Sequence, residues 1–322
     1  MIIACYKVFN EADYLKESVA SIYDYVDKIL ILEGCFGAME KVVLPSRVTS
    51  GGLSADGTTD IIKNFSDPKN KIDYQPVGFI GGDQTILYQR MVDYAQVGDY
   101  IWLVDGDEVY PSNLCEILVK WMSKGTYHAI WLPGLIFWHD FIHVRYRHGW
   151  ELPHQRIYMK IDESMHYAAR NLDVRWKDDA GNIYGFGLPP KGTIYKGRSY
   201  NVYVGSVDGL WYYHYAYVRS VQRILEKMLC QYLQNIEQGS AEWKHCQQFA
   251  DPLEFKTQTH PWFTNHDFAE EIICTAVEHP PAMQAHGFRS IRWDEQSVEL
   301  ELKKARKMVR EENDKYKYRK IA

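Results

Sequence analysis

The sequence predicts an α/β fold in which a mostly parallel sheet is covered by helices. Between residues 1 and 110, short apolar runs of strand length alternate with segments of helical spacing. The last of these runs, Tyr100–Asp105, leads into the acidic sequence Asp105-Gly106-Asp107-Glu108. Open parallel sheets bind their ligands at the carboxyl ends of strands. The sequence therefore predicts a βαβαβαβ order with a site at the end of the fourth strand.

The individual elements follow from apolar spacing and from residues that begin or end helices. Asn10-Glu11-Ala12-Asp13 can cap the first helix, and Gly98 ends the third. We predict strands over Ile2–Tyr6, Lys28–Leu32, Ile72–Pro76 and Tyr100–Asp105. We predict helices over Tyr14–Tyr23, Thr58–Phe65 and Gln84–Ala95. The segment from Cys35 to Ser54 has no regular pattern.

Composition limits the class of protein. A chain of 322 residues with 46% hydrophobic residues can form one large domain, or one domain with an appendage. The net charge of −5 disfavours a general nucleic-acid binder. The 6 cysteines include no C-x-x-C pair, so neither a zinc framework nor a disulfide scaffold is indicated. Without an apparent signal peptide or an apolar run of membrane-spanning length, the expected location is the cytoplasm.

Asp105 and Asp107 form the strongest candidate site. Residues i and i+2 of a strand point the same way, so both carboxylates can face one cation, while Gly106 lets a ligand approach the backbone. Hard oxygen ligands suit Mg²⁺ or Mn²⁺, which complete their coordination with substrate phosphates. The alternative is an exposed acidic strand end or turn. The pattern indicates chemistry on a nucleotide-activated substrate.

Several short motifs occur in a characteristic order. They are Asn10-Glu11, Glu33, Asp56-Gly57-Thr58-Thr59-Asp60-Ile61-Ile62, Gln89-Arg90 and Leu103-Val104-Asp105-Gly106-Asp107-Glu108. Together they resemble the family 2 type glycosyltransferases of the GT-A fold, over residues 1–115. A later segment, Tyr213-His214-Tyr215-Ala216-Tyr217-Val218-Arg219-Ser220 followed by Lys227, is similar to a pattern in bacterial and phage members. Lys7 replaces the usual first-strand proline, and an insertion between Gly34 and Ser54 splits the customary Asp-Asp-Gly-Ser run.

The resemblance implies a metal-dependent enzyme. Its donor is a nucleotide diphosphate sugar, with UDP as the expected nucleotide, and its acceptor is a carbohydrate or another hydroxyl group. The expected metal is Mn²⁺ or Mg²⁺. The implied organisation is a GT-A domain over residues 1–235, with a nucleotide-binding half (1–115) and an acceptor half (116–235). A mainly helical C-terminal extension (236–322) follows. A sugar nucleotidyltransferase and a non-catalytic carbohydrate-binding protein are the alternatives.

For the nucleotide, the resemblance implies three contacts near the first two strands. The Glu33 carboxylate can accept the N3–H of uracil or the N1–H of guanine, although an ordinary strand-end acid is the alternative. Phe9 can stack on the base, and Lys7 flanks the same crevice.

Phosphate and metal contacts are implied on both sides of the acidic motif. Arg90 either pairs with a phosphate or holds Asp105, with an exposed helix face as the alternative. Asp105 contacts the ribose or the metal, and Asp107 binds the metal that bridges the diphosphate.

The later motif adds three candidates. His214 is a third metal ligand or a phosphate contact, and the alternative is a hydrogen-bonded core histidine. Arg219 and Lys227 can clamp the diphosphate, and the alternative is a solvated helix surface.

The segment from Gly134 to Tyr203 is rich in aromatic residues beside hydrogen-bonding groups, which suits the apolar face of a sugar. The alternative is a β-rich core. An inverting transferase needs a base for the acceptor hydroxyl, and Asp140 and Glu151 are the catalytic candidates. Ser297–Lys315 predicts a charged amphipathic helix, which is compatible with core packing, a homodimer contact or peripheral membrane contact.

Overall fold

A computed structural model describes a large part of the chain. The described residues are 1–36, 39–43, 45–81, 84–138, 140–141, 143–145, 153–167, 174–186, 193–195, 198–204, 210–220, 223–224, 227, 272–274, 278–290, 300, 303–304 and 307. No helix in these ranges is both long and apolar enough to cross a membrane.

The described elements alternate at first and then become predominantly strands. The strands are β1 (Ile2–Val8), β2 (Lys28–Glu33), β3 (Ile72–Pro76), β4 (Tyr100–Asp105), β5 (Glu108–Val109), β6 (Ala129–Leu132), β7 (Gly134–Trp138), β8 (His143–Arg145), β9 (His154–Met159), β10 (His166–Tyr167), β11 (Val174–Lys177), β12 (Ile183–Gly185), β13 (Thr193–Tyr195), β14 (Arg198–Tyr200), β15 (Val202–Val204), β16 (Tyr212–Tyr217) and β17 (Ile272–Cys274). The helices are α1 (Leu15–Ile22), α2 (Met39–Val42), α3 (Thr58–Asn64), α4 (Thr85–Tyr94) and α5 (Ser112–Ser123), with a further short helix over Pro281–Gln284. Turns of 3-10 helix cover Tyr23–Tyr25, Pro45–Arg47 and Gly287–Ser290.

The central sheet has seven strands in the order β15-β6-β9-β4-β1-β2-β3. Strand β1 pairs in parallel with β2 and β4, β2 pairs in parallel with β3, and β15 with β6. Strand β9 is antiparallel to both of its neighbours, β4 and β6. The predicted α/β class, a mostly parallel sheet flanked by helices, is confirmed. Strands from either side of residue 115 share this sheet.

The two faces of the sheet carry separate cores because successive strand residues point to opposite sides. On β1, Ile3 and Cys5 pack in the core that includes the buried side of α4. Ala4 and Tyr6 pack in the other core, which contains the buried sides of α1 and α5. Helices therefore cover both faces, as the alternating sequence predicts.

A second sheet places β16 beside the acidic motif. It has five strands in the order β17-β8-β7-β16-β5. Strand β5 starts three residues after β4 ends, and its Glu108 lies opposite His214 in the antiparallel pair with β16. This pairing carries the later motif to the carboxyl end of β4. The strands β7 to β15 also agree with the β-rich alternative for the aromatic segment.

The loop after β1 is arranged differently from the expected helix cap. Tyr14 stands at the N-cap of α1 and makes no side-chain capping hydrogen bond. Asn10 has a positive φ of 55°, and its Oδ1 accepts the Ala55 N–H at 3.3 Å. The Glu11 N–H donates to Thr58 Oγ1 at 2.7 Å. The Asn10–Asp13 segment therefore ties the end of β1 to the start of α3.

Predictions for the C-terminal part of the chain fall mostly outside the described residues. This holds for the helix over Ser297–Lys315 and for most of the extension from residue 236. The homodimer and membrane contacts remain predictions.

Candidate functional site

A cleft of about 240 Å³ lies where β1 and β4 end. The residues lining it come from the loop after β1, the segment after β2, the acidic motif, β16 and the residues that follow β16. They are Lys7, Phe9, Glu11, Phe36, Met39, Asp105, Gly106, Asp107, His214, Arg219, Arg223 and Lys227. The cleft therefore gathers most of the residues that the sequence motifs single out.

Asp105 is the last residue of β4, and a third of its side chain is exposed. Its Oδ1 lies 3.4 Å from Lys7 Nζ, and its Oδ2 lies 3.3 Å from Arg156 Nη1. Burial acts to raise the pKa of Asp105, but the charges of Lys7 and Arg156 outweigh burial and lower it. The carboxylate is therefore charged and held from both sides.

Asp107 is buried, at 4% exposure, and lies among three basic side chains. Its Oδ1 is 3.2 Å from His214 Nε2, while its Oδ2 is 2.8 Å from Arg219 Nη2 and 3.6 Å from Lys227 Nζ. Burial acts to raise the pKa of Asp107, but these neighbours hold it well below its ordinary value. Conversely, burial acts to lower the pKa of His214, and the Asp107 carboxylate raises it. Each carboxylate oxygen of Asp105 and Asp107 thus faces a basic group.

Gly106 separates the two aspartates at a point of close packing. A Cβ at this position would lie 2.9 Å from both Cβ and Cγ of Glu11. Glycine is required here because the Glu11 side chain lies directly on the backbone. The sequence pattern predicts that a ligand approaches the backbone at Gly106, whereas in this structure the Glu11 side chain lies there.

A row of basic residues covers the other side of the cleft. Arg219, only 3% exposed, pairs with Glu11 at 2.6 Å and with Asp13 at 3.5 Å in addition to Asp107. Arg223 donates to the backbone carbonyl of Asn10. The sequence motifs do not single out Arg223, although its spacing of four residues from both Arg219 and Lys227 would place all three on one side of a helix.

Lys7 and Phe9 both line the cleft, as the motifs predicted. Lys7 Nζ lies 5.4 Å from the ring centroids of both Phe36 and Tyr88. Burial acts to lower the pKa of Lys7, whereas Tyr88 and Asp105 raise it. The ammonium group is therefore charged, and it supplies one positive charge at the end of β1.

Glu33 is fully buried and is not among the residues that line this cleft. Its carboxylate accepts the Ser54 N–H at 3.0 Å, the Thr59 hydroxyl at 2.8 Å and the Tyr74 hydroxyl at 2.5 Å. The resemblance implied that Glu33 accepts a hydrogen bond from a nucleobase, whereas here its hydrogen-bond donors are protein groups. They connect the end of β2 with α3 and β3 and with the end of the segment from Cys35 to Ser54.

Three other candidates lie apart from the cleft or outside the described residues. Arg90 is exposed on α4, and Asp105 is held instead by Lys7 and Arg156. Asp140 is buried and lies 2.9 Å from both the backbone nitrogen and the ring Nδ1 of His143, away from the described cleft lining. Glu151 falls outside the described residues.

Whether the cleft can hold a metal ion depends on the side chains that could serve as its ligands. The described part of the chain holds no group of three or more His, Cys, Asp or Glu side chains arranged to bind a metal ion by themselves. Mg²⁺ and Mn²⁺ need fewer protein ligands, because substrate phosphates and water complete their coordination. Asp105, Asp107 and His214 are the cleft residues whose side chains could contact such a cation, and it would have to displace the basic groups that now face both carboxylates.

Comparison of this chain with known proteins finds distant structural matches. No protein-family model matches the sequence, and no curated protein matches it. The structure of S. aureus TarS 1-349 has a TM-score of 0.39 and 11% identity, over 84% of this chain and 72% of that one. TarS 1-349 in complex with UDP-GlcNAc has a TM-score of 0.40 and 9% identity, over 83% of this chain and 80% of that one. Likeness at this level supports no conclusion about family, donor or acceptor, which leaves the cleft as the basis for function.

Proposed function

We propose that the protein is a metal-dependent glycosyltransferase that moves a sugar from a nucleoside diphosphate sugar, with UDP as the nucleotide, to a carbohydrate or other hydroxyl acceptor. One observation carries the proposal. At the carboxyl end of β4, the aspartates of the acidic motif meet the basic residues of the segment after β16 in one cleft. Parallel α/β sheets bind nucleotides at this edge.

The basic residues suit a departing diphosphate. Transfer of the sugar leaves negative charge on the nucleoside diphosphate, and fixed positive groups stabilise that charge as it develops. Arg219 and Arg223 are now paired with Glu11, Asp13 and the Asn10 carbonyl. In the proposed donor complex, phosphate oxygens replace these partners.

Asp105, Asp107 and His214 would hold Mn²⁺ or Mg²⁺ together with the donor. When bound, the cation neutralises part of the charge of the leaving diphosphate. The chain's own contribution is to keep both aspartates charged, which the basic neighbours of Asp105 and Asp107 achieve.

The cleft is also lined by apolar side chains. Phe9, Phe36 and Met39 line the same cleft as Lys7. Aromatic rings provide flat apolar surfaces on which a nucleobase can stack. For the acceptor hydroxyl proton, Asp140 and Glu151 remain the proposed bases, to be tested by replacement with Asn and Gln.

Thermal stabilisation by nucleotides tests the proposal directly. We expect UDP to raise the melting temperature strongly only with Mn²⁺, and GDP, CDP, TDP and ADP to raise it less, because a ligand that binds the native state stabilises it. Asp107→Asn should abolish the Mn²⁺-dependent shift. Asp24→Asn is the matched control, since that side chain is 74% exposed on the surface.

Product analysis separates the alternatives. Release of UDP from a UDP-sugar, with the sugar recovered on an acceptor or on water, supports a transferase. Release of pyrophosphate when a nucleoside triphosphate and a sugar 1-phosphate are supplied, with formation of the nucleoside diphosphate sugar, indicates a nucleotidyltransferase. Binding of a sugar without nucleotide, metal effect or turnover indicates a carbohydrate-binding protein and contradicts the proposal.

A further inference from the structure

Arg156 lies on β9, directly beside the strand that ends in the acidic motif. Its guanidinium makes polar contacts with three side chains. Nη1 lies 3.3 Å from Asp105 Oδ2, Nη2 donates to the Tyr212 hydroxyl at 3.1 Å, and Nη2 also pairs with the Glu108 carboxylate. The guanidinium carbon lies 4.9 Å from the centroid of the Tyr212 ring. The side chain is therefore fixed from several directions, and its charge is shared between Asp105 and Glu108.

Glu108 is the second carboxylate that pairs with Arg156. It is fully buried, and its Oε2 accepts the Asp105 N–H at 3.2 Å and the Tyr110 hydroxyl at 3.3 Å. Tyr110 also stacks on Tyr212, with ring centroids 5.5 Å apart. Two buried tyrosines and a buried carboxylate thus hold the guanidinium against Asp105.

Arg156 differs from Lys7, the other basic partner of Asp105. Lys7 lines the cleft, whereas Arg156 is absent from the described lining, and its side chain is only 12% exposed. Arg156 therefore contacts Asp105 Oδ2 from the protein side, whereas Lys7 contacts Oδ1 from the cleft. The planar fork of arginine suits this arrangement, because separate N–H groups can pair with two carboxylates while the flat guanidinium lies on an aromatic ring.

We propose that Arg156 is a positioning residue, which fixes the Asp105 carboxylate in the orientation that binds the donor. The proposal rests on the transferase function proposed above. The carboxylate torsion of aspartate is broad, and the partly exposed Asp105 side chain would rotate if one oxygen lost its partner. Arg156 acts through Asp105 and does not touch the donor.

Arg156→Lys and Arg156→Met test this inference. Lysine keeps the charge but loses the fork, so we expect a folded protein whose KM for the donor rises by about tenfold or more, which corresponds to a lost charge-assisted hydrogen bond. Arg156→Met should show the larger loss, and it also leaves Glu108 buried without its cation. Arg175→Met, on β11 and away from the cleft, is the matched control and should retain the wild-type KM and kcat.

A double variant separates positioning from charge compensation. Glu108→Gln combined with Arg156→Met removes both charges of the buried pair, so the melting temperature should recover toward the wild-type value. If Arg156 positions Asp105, the donor KM stays high despite this recovery. Recovery of both the melting temperature and the KM would show that Arg156 only neutralises Glu108, and would overturn the inference.

The wild-type protein distinguishes failure of the inference from failure of the proposed function. Wild-type protein that neither binds nor turns over any nucleoside diphosphate sugar overturns both. Active wild-type protein with equally active, folded Arg156→Lys and Arg156→Met variants overturns the inference alone.

Discussion

Glu33 is a buried carboxylate whose three hydrogen-bond donors belong to different parts of the chain: Ser54, Thr59 and Tyr74. A hydrogen bond to a charged group contributes about 1.5–3 kcal/mol. We predict that Glu33→Gln lowers the free energy of unfolding by about 1.5–3 kcal/mol, because the amide is uncharged and turns N–H groups toward existing donors. Urea denaturation of the variant and the wild-type protein measures this difference.

The same variant decides between the two interpretations of Glu33. As a structural anchor, it should leave the order of nucleotide preference unchanged in a binding panel. Glu116→Gln on the exposed side of α5 is the matched control and should have little effect on stability. An altered nucleotide preference with unchanged stability would instead identify Glu33 as the residue that recognises the base.

Arg223 provides a residue-scale test of the phosphate site. It lies in the cleft between Arg219 and Lys227 along the chain. We predict that Arg223→Met weakens UDP binding by about tenfold, close to 1.4 kcal/mol, and leaves uridine binding unchanged, because the contact is with phosphate. Isothermal titration with UDP and with uridine measures both.

An Arg90 variant is the comparison for the Arg223→Met titration. The sequence motif places it near the phosphates, yet its side chain is exposed on α4. Arg90→Met should therefore bind UDP within about twofold of the wild-type protein, as expected for exposed substitutions. Equal losses in the two variants would contradict the assignment of the phosphate site to the segment after β16.

At the scale of elements, the pairing of β7 with β16 depends on a glycine. Gly134 lies opposite Tyr212, and a Cβ there would lie 2.7 to 2.9 Å from three atoms of the Tyr212 side chain. We predict that Gly134→Ala destabilises the protein by about 1–3 kcal/mol, because overpacking shifts the ring. Thermal denaturation measures the effect.

The control for Gly134→Ala is Gly51→Ala, because a Cβ added at Gly51 would have no atom within 4 Å. Since Tyr212 also supports Arg156, the Gly134→Ala protein should additionally lose donor affinity. Wild-type stability and affinity in Gly134→Ala would show that β7 and β16 adjust without cost.

The strands β1 to β4 and the helices α1, α3 and α4 follow from local pattern, whereas the elements after β4 do not. The apolar runs at β1 to β4 predict strands within one or two residues of their ends, because short apolar runs between helical segments are typical of parallel strands. The pairing of β16 with β5 joins residues far apart in sequence, and no local pattern reports it. Arg156 was missed for the same reason, because its partner Asp105 is 51 positions away.

At the scale of the whole molecule, the motifs predicted correctly which residues lie close together. They were less successful in predicting the contacts that each side chain makes. Asp105, Asp107, His214, Arg219 and Lys227 lie in one cleft, as expected from the order of the motifs. Glu33 and Arg90 belong to motifs of the same group, but the direction of a side chain depends on tertiary partners that a motif does not encode. The Glu11 contact with Arg219 is a further unpredicted pairing, across 208 positions.

The central sheet also predicts how the two proposed halves of residues 1–235 depend on each other. The fragment 1–115 contains β1 to β4 but lacks β9, which covers the edge of β4 by antiparallel pairing. An unpaired, apolar edge strand such as β4 promotes aggregation. We predict that this fragment alone shows no cooperative thermal transition by circular dichroism. Addition of the fragment 116–322 during refolding should restore a transition and UDP-dependent stabilisation, whereas a cooperative transition of the first fragment alone would make the halves independent domains.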